Sequence, residues 1–134
     1  MKKITRTEFM KKIKDGERLM EGYDLSDLDL SRINDSTAIH YIRNITFRLC
    51  KFICTNFERS DMQHCRFEYC DLSYTNFTLT RNTDSQFKYC CLFGANLKGM
   101  NISNGAIINC EMGRVSGFDS ACKDSMQFTG SAVI

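Results

Sequence analysis

The sequence predicts an all-β solenoid, a tube wound from short sides, and three observations carry that prediction. Read in fives from Ile42, an apolar residue stands at Ile42, Phe47, Phe52, Phe57, Met62, Phe67, Leu72, Phe77, Phe87, Leu92, Leu97, Ile102, Ile107 and Met112, with Asn82 as the single interruption. That is 14 of 15 positions in a chain that is 43% apolar, where chance gives about 6. The residue two before each centre is small at Cys50, Thr55, Ser60, Cys65, Cys70, Thr75, Thr80, Ser85, Cys90, Ala95, Gly105 and Cys110, with Ile45 and Met100 among the exceptions. The residue just before the centre is often Asn or Asp (Asn56, Asp61, Asp71, Asn76, Asn96, Asn101), whose side chains bond nearby backbone and favour corners. A period of five fits neither a helix nor a flat strand. The chain must turn once per unit and bring the same position back inside a narrow interior.

Bulk composition limits the classes. At 134 residues and 25% charged, the chain is one globular domain by size. A net charge of +2 is too weak for nucleic-acid binding and for a wholesale acidic mimic of it. No run of 18 apolar residues exists, and the basic start Met1 to Arg6 leads into charged residues instead of a signal-peptide core. The expectation is a soluble cytoplasmic protein, with its eight cysteines reduced and the sequons at Asn44, Asn76 and Asn101 without meaning.

Segments such as Ala95-Asn96-Leu97-Lys98-Gly99, Thr75-Asn76-Phe77-Thr78-Leu79 and Cys70-Asp71-Leu72-Ser73-Tyr74 resemble the pentapeptide-repeat family, over roughly Tyr23 to Met112. In that family four units make a square coil. The resemblance therefore implies a right-handed quadrilateral β-helix with a 20-residue turn and a short N-terminal capping helix. Inward columns then read Phe47, Phe67, Phe87, Ile107; Phe52, Leu72, Leu92, Met112; and Phe57, Phe77, Leu97, so that rings stack on rings. Asn82 falls between Met62 and Ile102. Inward it needs backbone partners, and a local bulge that turns it outward is the favoured expectation. Cys50, Cys70, Cys90 and Cys110 also form one column. A metal or redox ladder is the functional alternative there, and a small buried hydrophobe suited to a narrow corner is preferred. Cys54 and Cys91 are expected to be the accessible thiols.

Residues 1–20 are read as the capping helix and lead-in, and residues 21–134 as the β-helix. Thr5-Arg6-Thr7-Glu8 is a capping box with Ile4 and Phe9 as staple and Gly16 as terminator, which predicts a helix from Arg6 to about Asp15. Phe9, Met10 and Ile13 share its apolar face, and its lysines are read as a solvated face instead of a phosphate or lipid contact. Leu25 and Leu30 are out of phase with Ile42 by two residues, which predicts a loop insertion at 33–38. After Met112 the phase slips by one, with Phe118, Phe128 and Val133 again in fives and Lys123 as a failure; the irregularity is expected within 113–117. The tube is expected to have about 4 to 5 coils and so a length near 25 Å.

The two histidines, His40 and His64, do not share a column, and no phosphate loop, nucleophile elbow or metal-type cysteine pair occurs. No enzyme, cofactor or metal is expected. Function then lies outside. One side carries the ladders Leu49, Tyr69, Tyr89, Asn109; Ile53, Ser73, Phe93, Gly113; and Cys54, Tyr74, Gly94, Arg114, an apolar and aromatic strip. The candidate partner-binding residues are Leu49, Ile53, Cys54, Tyr69, Tyr74, Tyr89 and Phe93. The resemblance also implies dimerisation through the C-terminal coil, here Phe128, Val133 and Ile134. It further implies an alternative role as an inhibitor of a nucleic-acid-processing enzyme by DNA mimicry, of the gyrase-directed or phage counter-defence type. The mixed signs of Lys51, Asp71, Cys91, Glu111 and of Arg48, Glu68, Lys88 weaken that alternative. The reading preferred is a non-catalytic protein-binding module.

Overall fold

The period of five winds the chain into a right-handed, four-sided parallel β-helix behind one short helix. The computed structural model describes residues 1–33 and 42–133. Strand β1 (Lys2–Lys3) leads into helix α1 (Arg6–Lys14), followed by β2 (Leu19–Glu21) and β3 (Tyr23–Asp24). Then come β4 (Thr46–Arg48), β5 (Arg66–Glu68), β6 (Gln86–Lys88), β7 (Ala106–Ile108) and β8 (Glu111–Met112), a 3₁₀ turn at Phe118–Ser120, β9 (Gln127–Thr129) and β10 (Ala132–Val133). One side is a six-stranded parallel sheet in the order β2-β4-β5-β6-β7-β9. A second side runs from the parallel pair β1-β3 through single bridges such as Lys51 to Asp71 to the parallel pair β8-β10, and the other two sides are ladders of single bridges, such as Asn56 to Asn76 and Asp61 to Arg81.

The expected 4 to 5 coils are too few. Leu19–Glu21 of the lead-in and Gln127–Thr129 after the phase slip already stack as strands, so the tube has six turns on its sheet side. Coil follows coil through backbone bonds at every corner. The Phe52 N–H donates to the Asp71 carbonyl at 2.7 Å, and the Asp71 N–H to the Cys50 carbonyl at 3.0 Å.

Register records where the chain departs from the 20-residue turn. Met20 pairs with Phe47 and Asp29 with Asn56, 27 residues apart, seven more than the 20 that separate Phe47 from Phe67. A surplus of seven is a phase shift of two in a period of five. The expected loop 33–38 lies outside the described residues except for Ile33, which is buried against Ser60 and Asp61. At the other end Asn96 still pairs with Ser116 at 20 residues, whereas Asn101 pairs with Cys122 and Ile107 with Phe128 at 21. The extra residue therefore enters between Ser116 and Cys122, through the 3₁₀ turn that begins after Gly117 (φ +74°), and overlaps the expected segment 113–117 only at its last residue.

Inside, the columns are fully buried. Phe67 stacks on Phe87 at 4.8 Å and on Phe47 at 4.9 Å, Phe57 stacks on Phe77 at 5.5 Å, and Phe77 meets Phe87 edge-on at 5.5 Å. Such pairs add roughly 0.5 to 1.5 kcal/mol each beyond area burial.

Asn82 corrects the sequence reading, because it faces inward with no exposed surface. Its backbone N–H keeps the ladder bond to the Asn101 carbonyl at 2.7 Å, as the Met62 N–H does to Arg81. A bulge would have cost those coil-to-coil bonds. The side chain instead donates to Thr80 Oγ1 at 2.6 Å and leaves Oδ1 without a partner.

The N-terminal end is closed as its sequence predicts. Thr5 Oγ1 accepts the Glu8 N–H at 3.1 Å while Glu8 Oε1 accepts the Thr5 N–H at 3.0 Å. Asp15 caps the helix and Gly16 (φ +86°) ends it. Phe9 and Ile13 are buried, with Phe9 stacked on Phe47 at 6.2 Å, and Met10 packs half-buried against the core.

Candidate interaction surface

The winding that buries every fifth side chain also fixes what it exposes. The residue two after each centre adopts a left-handed backbone at nearly every corner, from Asn44 (φ +59°) to Arg114 (φ +55°). Such a corner suits Gly or Asn, and it costs another residue about 1 to 2 kcal/mol. At five of these corners this chain nevertheless places Leu49, Tyr69, Tyr74, Leu79 and Tyr89, which are 43% to 55% exposed.

Of the residues predicted for the strip, Leu49, Tyr69 and Tyr89 form one ladder on the sheet side. The two tyrosine rings stack at 5.1 Å, and the Arg48 guanidinium lies 5.8 Å from the Tyr69 ring centre. Around the corner Tyr74 meets Phe93 edge-on at 5.7 Å. Phe93 and Ile53 are half-buried, Cys54 is exposed, and all three border the same strip. Gly94 makes room for Tyr74, since a Cβ there would stand 2.6 Å from its ring. Gly99 does the same beneath Leu79, again at 2.6 Å. Leu79 stands two corners further round the coil than Tyr69 and so lies apart from the strip.

Outside the strip the exposed large apolar side chains among the described residues are Met1, Leu19, Leu79 and Phe128. Asp61, 1% exposed, is held by Arg43, by Gln63 at 3.0 Å and by Arg81 at 4.0 Å. Burial raises its pKa, yet the hydrogen bonds from Arg43 and Gln63 outweigh burial and hold the carboxyl below its ordinary value. His64 lies 3.6 Å from Asp84, and His40 lies outside the described residues. Among the described residues no cluster of three or more His, Cys, Asp or Glu side chains is arranged to hold a metal ion. The shallow recess beside α1 is lined by Lys2, Glu8, Lys11, Lys12, Asp15 and Glu17, charges that pair among themselves as Lys11–Asp15 at 2.7 Å and Lys12–Glu17 at 3.4 Å. No helix among the described residues is long and apolar enough to cross a membrane.

At the other end Phe128, 37% exposed, touches Phe118 at 5.5 Å. Val133 lies in β10, paired with Met112, and Ile134 lies outside the described residues. Lys123, the failed inward position, turns its ammonium to the Phe118 and Ala121 carbonyls at 2.6 and 3.0 Å. Of the off-column thiols, Cys54 and Cys122 are exposed and Cys91 is intermediate.

Comparison with known proteins agrees with this geometry. Residues 60–99 match the family model for pentapeptide repeats, in eight copies. No match is found among curated proteins. Among solved structures, the pentapeptide repeat protein Rfr23 from the cyanobacterium Cyanothece 51142 superposes with a TM-score of 0.69 and 13% identity, over 96% of this chain and 99% of that one. QnrB1, a plasmid-mediated fluoroquinolone resistance protein, superposes in a trypsin-treated variant form with a TM-score of 0.55 and 19% identity, over 99% of this chain and 68% of that one. At these identities the likeness is one of fold. Residues 60–99 thus carry pentapeptide repeats, and the fold of the chain is that of the pentapeptide-repeat β-helices.

Proposed function

We propose that this chain is a non-catalytic, cytoplasmic protein-binding module whose contact surface is the strip of Leu49, Tyr69, Tyr74 and Tyr89, bordered by Ile53, Cys54 and Phe93. One observation carries the reading. Large apolar side chains occupy left-handed corners where Asn or Gly would be less strained, and they remain about half exposed. A group of half-exposed large apolar side chains on a rigid scaffold is the signature of a contact surface more than of a folding device. The partner is a protein, because exposed aromatic rings on a rigid scaffold bind chiefly by desolvation of a complementary apolar face. A second copy of this chain docks at the C-terminal coil through Phe128, Val133 and Ile134.

A second reading, inhibition of a nucleic-acid-processing enzyme by mimicry of DNA, draws on the fold likeness to QnrB1. The outward ladders speak against it, since Arg48, Glu68 and Lys88 alternate in sign along the sheet side and a cleft built for DNA selects a continuous negative array.

Affinity capture from the native cell with the wild-type chain and with Tyr69→Asn/Tyr89→Asn tests the proposal. The double variant keeps its fold, since Asn suits those corners, and loses the captured protein. Retention of that protein by the variant overturns the surface. Binding that is nearly independent of added salt fits an aromatic contact, whereas a steep loss with salt favours mimicry.

A further inference from the structure

Cys50, Cys70, Cys90 and Cys110 occupy the same corner of four successive coils and are 1% to 4% exposed. Each thiol donates to two carbonyls: Cys70 to Phe47 and Glu68 at 3.3 and 3.4 Å, Cys90 to Phe67 and Lys88 at 3.3 Å each, and Cys110 to Phe87 and Ile108 at 3.4 and 3.5 Å. Elsewhere in the tube the corresponding position does this with a hydroxyl and a shorter bond, as Thr75 to Phe52 and Ser85 to Met62, both at 2.8 Å. Ser131 continues the cysteine corner in the next coil, its hydroxyl 3.4 Å from the Thr129 carbonyl. The packing task therefore does not require sulfur.

What sulfur adds is redox chemistry, since two thiols, unlike two hydroxyls, can be joined by oxidation. The four cysteines stand over one another in sequence order, Cys50, Cys70, Cys90 and Cys110, each thiol aimed at carbonyls of its own and the preceding coil. The coil pitch of about 4.8 Å sets neighbouring Cα atoms inside the range of roughly 4.4 to 6.8 Å that a disulfide spans.

We propose that this column is an oxidative modification site, in which Cys50 with Cys70 and Cys90 with Cys110 close into disulfides across adjacent coils when a peroxide reaches them. The thiolate of one member attacks the peroxide O–O bond and becomes a sulfenic acid, releasing one water. The neighbouring thiol then attacks that sulfur, forms the S–S bond and releases the second water, so that two thiols lose two protons and two electrons and hydrogen peroxide becomes two waters. Only this pairing uses all four sulfurs between adjacent coils. Each link closes a 20-residue turn and staples the tube against unwinding.

The test uses the full chain with Cys54, Cys65, Cys91 and Cys122 changed to Ser, treated with hydrogen peroxide and then alkylated in denaturant. Intact mass is expected to fall by four hydrogens with no thiol alkylated. Because each column cysteine lies in a different tryptic peptide (49–51, 67–81, 89–98, 99–114), digestion should join 49–51 to 67–81 and 89–98 to 99–114. Adding Cys70→Ser should leave only the second link and a loss of two hydrogens. The melting temperature of the oxidised chain should rise and return with reductant. If the four-serine variant does not fold, the same peptide map is read on the wild-type chain. Four alkylated thiols under peroxide that fully oxidises dithiothreitol overturns the proposal, as do links formed only after unfolding, links between molecules, or other pairings.

Discussion

Two stacks of rings climb the same side of this tube, one inside and one outside. Phe47, Phe67 and Phe87 are buried, with centroids 4.9 and 4.8 Å apart, and Tyr69 and Tyr89, two residues further along each unit, stack at 5.1 Å with half their surface in solvent. The spacing is nearly the same because the coil pitch imposes it on both. Their value to the fold differs because burial and backbone differ. An inner ring leaves water entirely and sits in extended backbone, whereas an outer ring keeps much of its hydration and holds its residue in a left-handed corner. Stacking geometry alone is thus no measure of stabilisation.

The largest expected effect breaks the inner stack. Phe67→Ala or Phe87→Ala should cost about 3 to 5 kcal/mol in chemical denaturation, and a loss as small as that of Tyr89 would exchange the inner and outer assignments. Next, Asn82→Leu should raise stability by about 1 to 3 kcal/mol, because it replaces a buried polar group carrying an unpartnered oxygen with the side chain its column calls for.

Asp61 sharpens the comparison from the other direction, since it holds an outer position yet is buried among arginines. Its carboxyl is depressed in the folded state, so its contribution is present above the unfolded pKa and is lost as pH falls through the folded one. Melting followed through acid pH should show that loss in the wild type and a flatter profile in Asp61→Asn. The smallest effect belongs to the outer stack. Tyr89→Asn should change stability by no more than about 0.5 kcal/mol, since lost stacking is offset by relief of the corner; a cost equal to that of Phe87→Ala would make the outer rings part of the fold.

The chain's periodicity made its inner columns legible at once, because a coil that turns every five residues leaves only one inward side chain at each centre. The helix cap was equally legible, since Thr5 and Glu8 need nothing beyond their own turn to satisfy each other. Asn82 was misread because side-chain polarity argued for the surface, while the bonds of the neighbouring coils held its backbone in register. The phase slip was legible in size but not in place, since a one-residue surplus can be absorbed at any corner before the next centre. On the outer face, position in the unit identified Tyr69, Tyr74 and Tyr89 as exposed. That Gly94 and Gly99 clear space for Tyr74 and Leu79 depends on contacts 20 residues away along the chain.

The amino-acid order by itself determined the winding, the inward columns and the closed N-terminal end, because each follows from contacts repeated at a fixed short interval. Only the tertiary structure decided which way Asn82 points, where the extra residue is absorbed, and which carbonyls the column thiols bond. Those outcomes depend on the coil above and the coil below, whose bonds outweigh the preference of any single side chain.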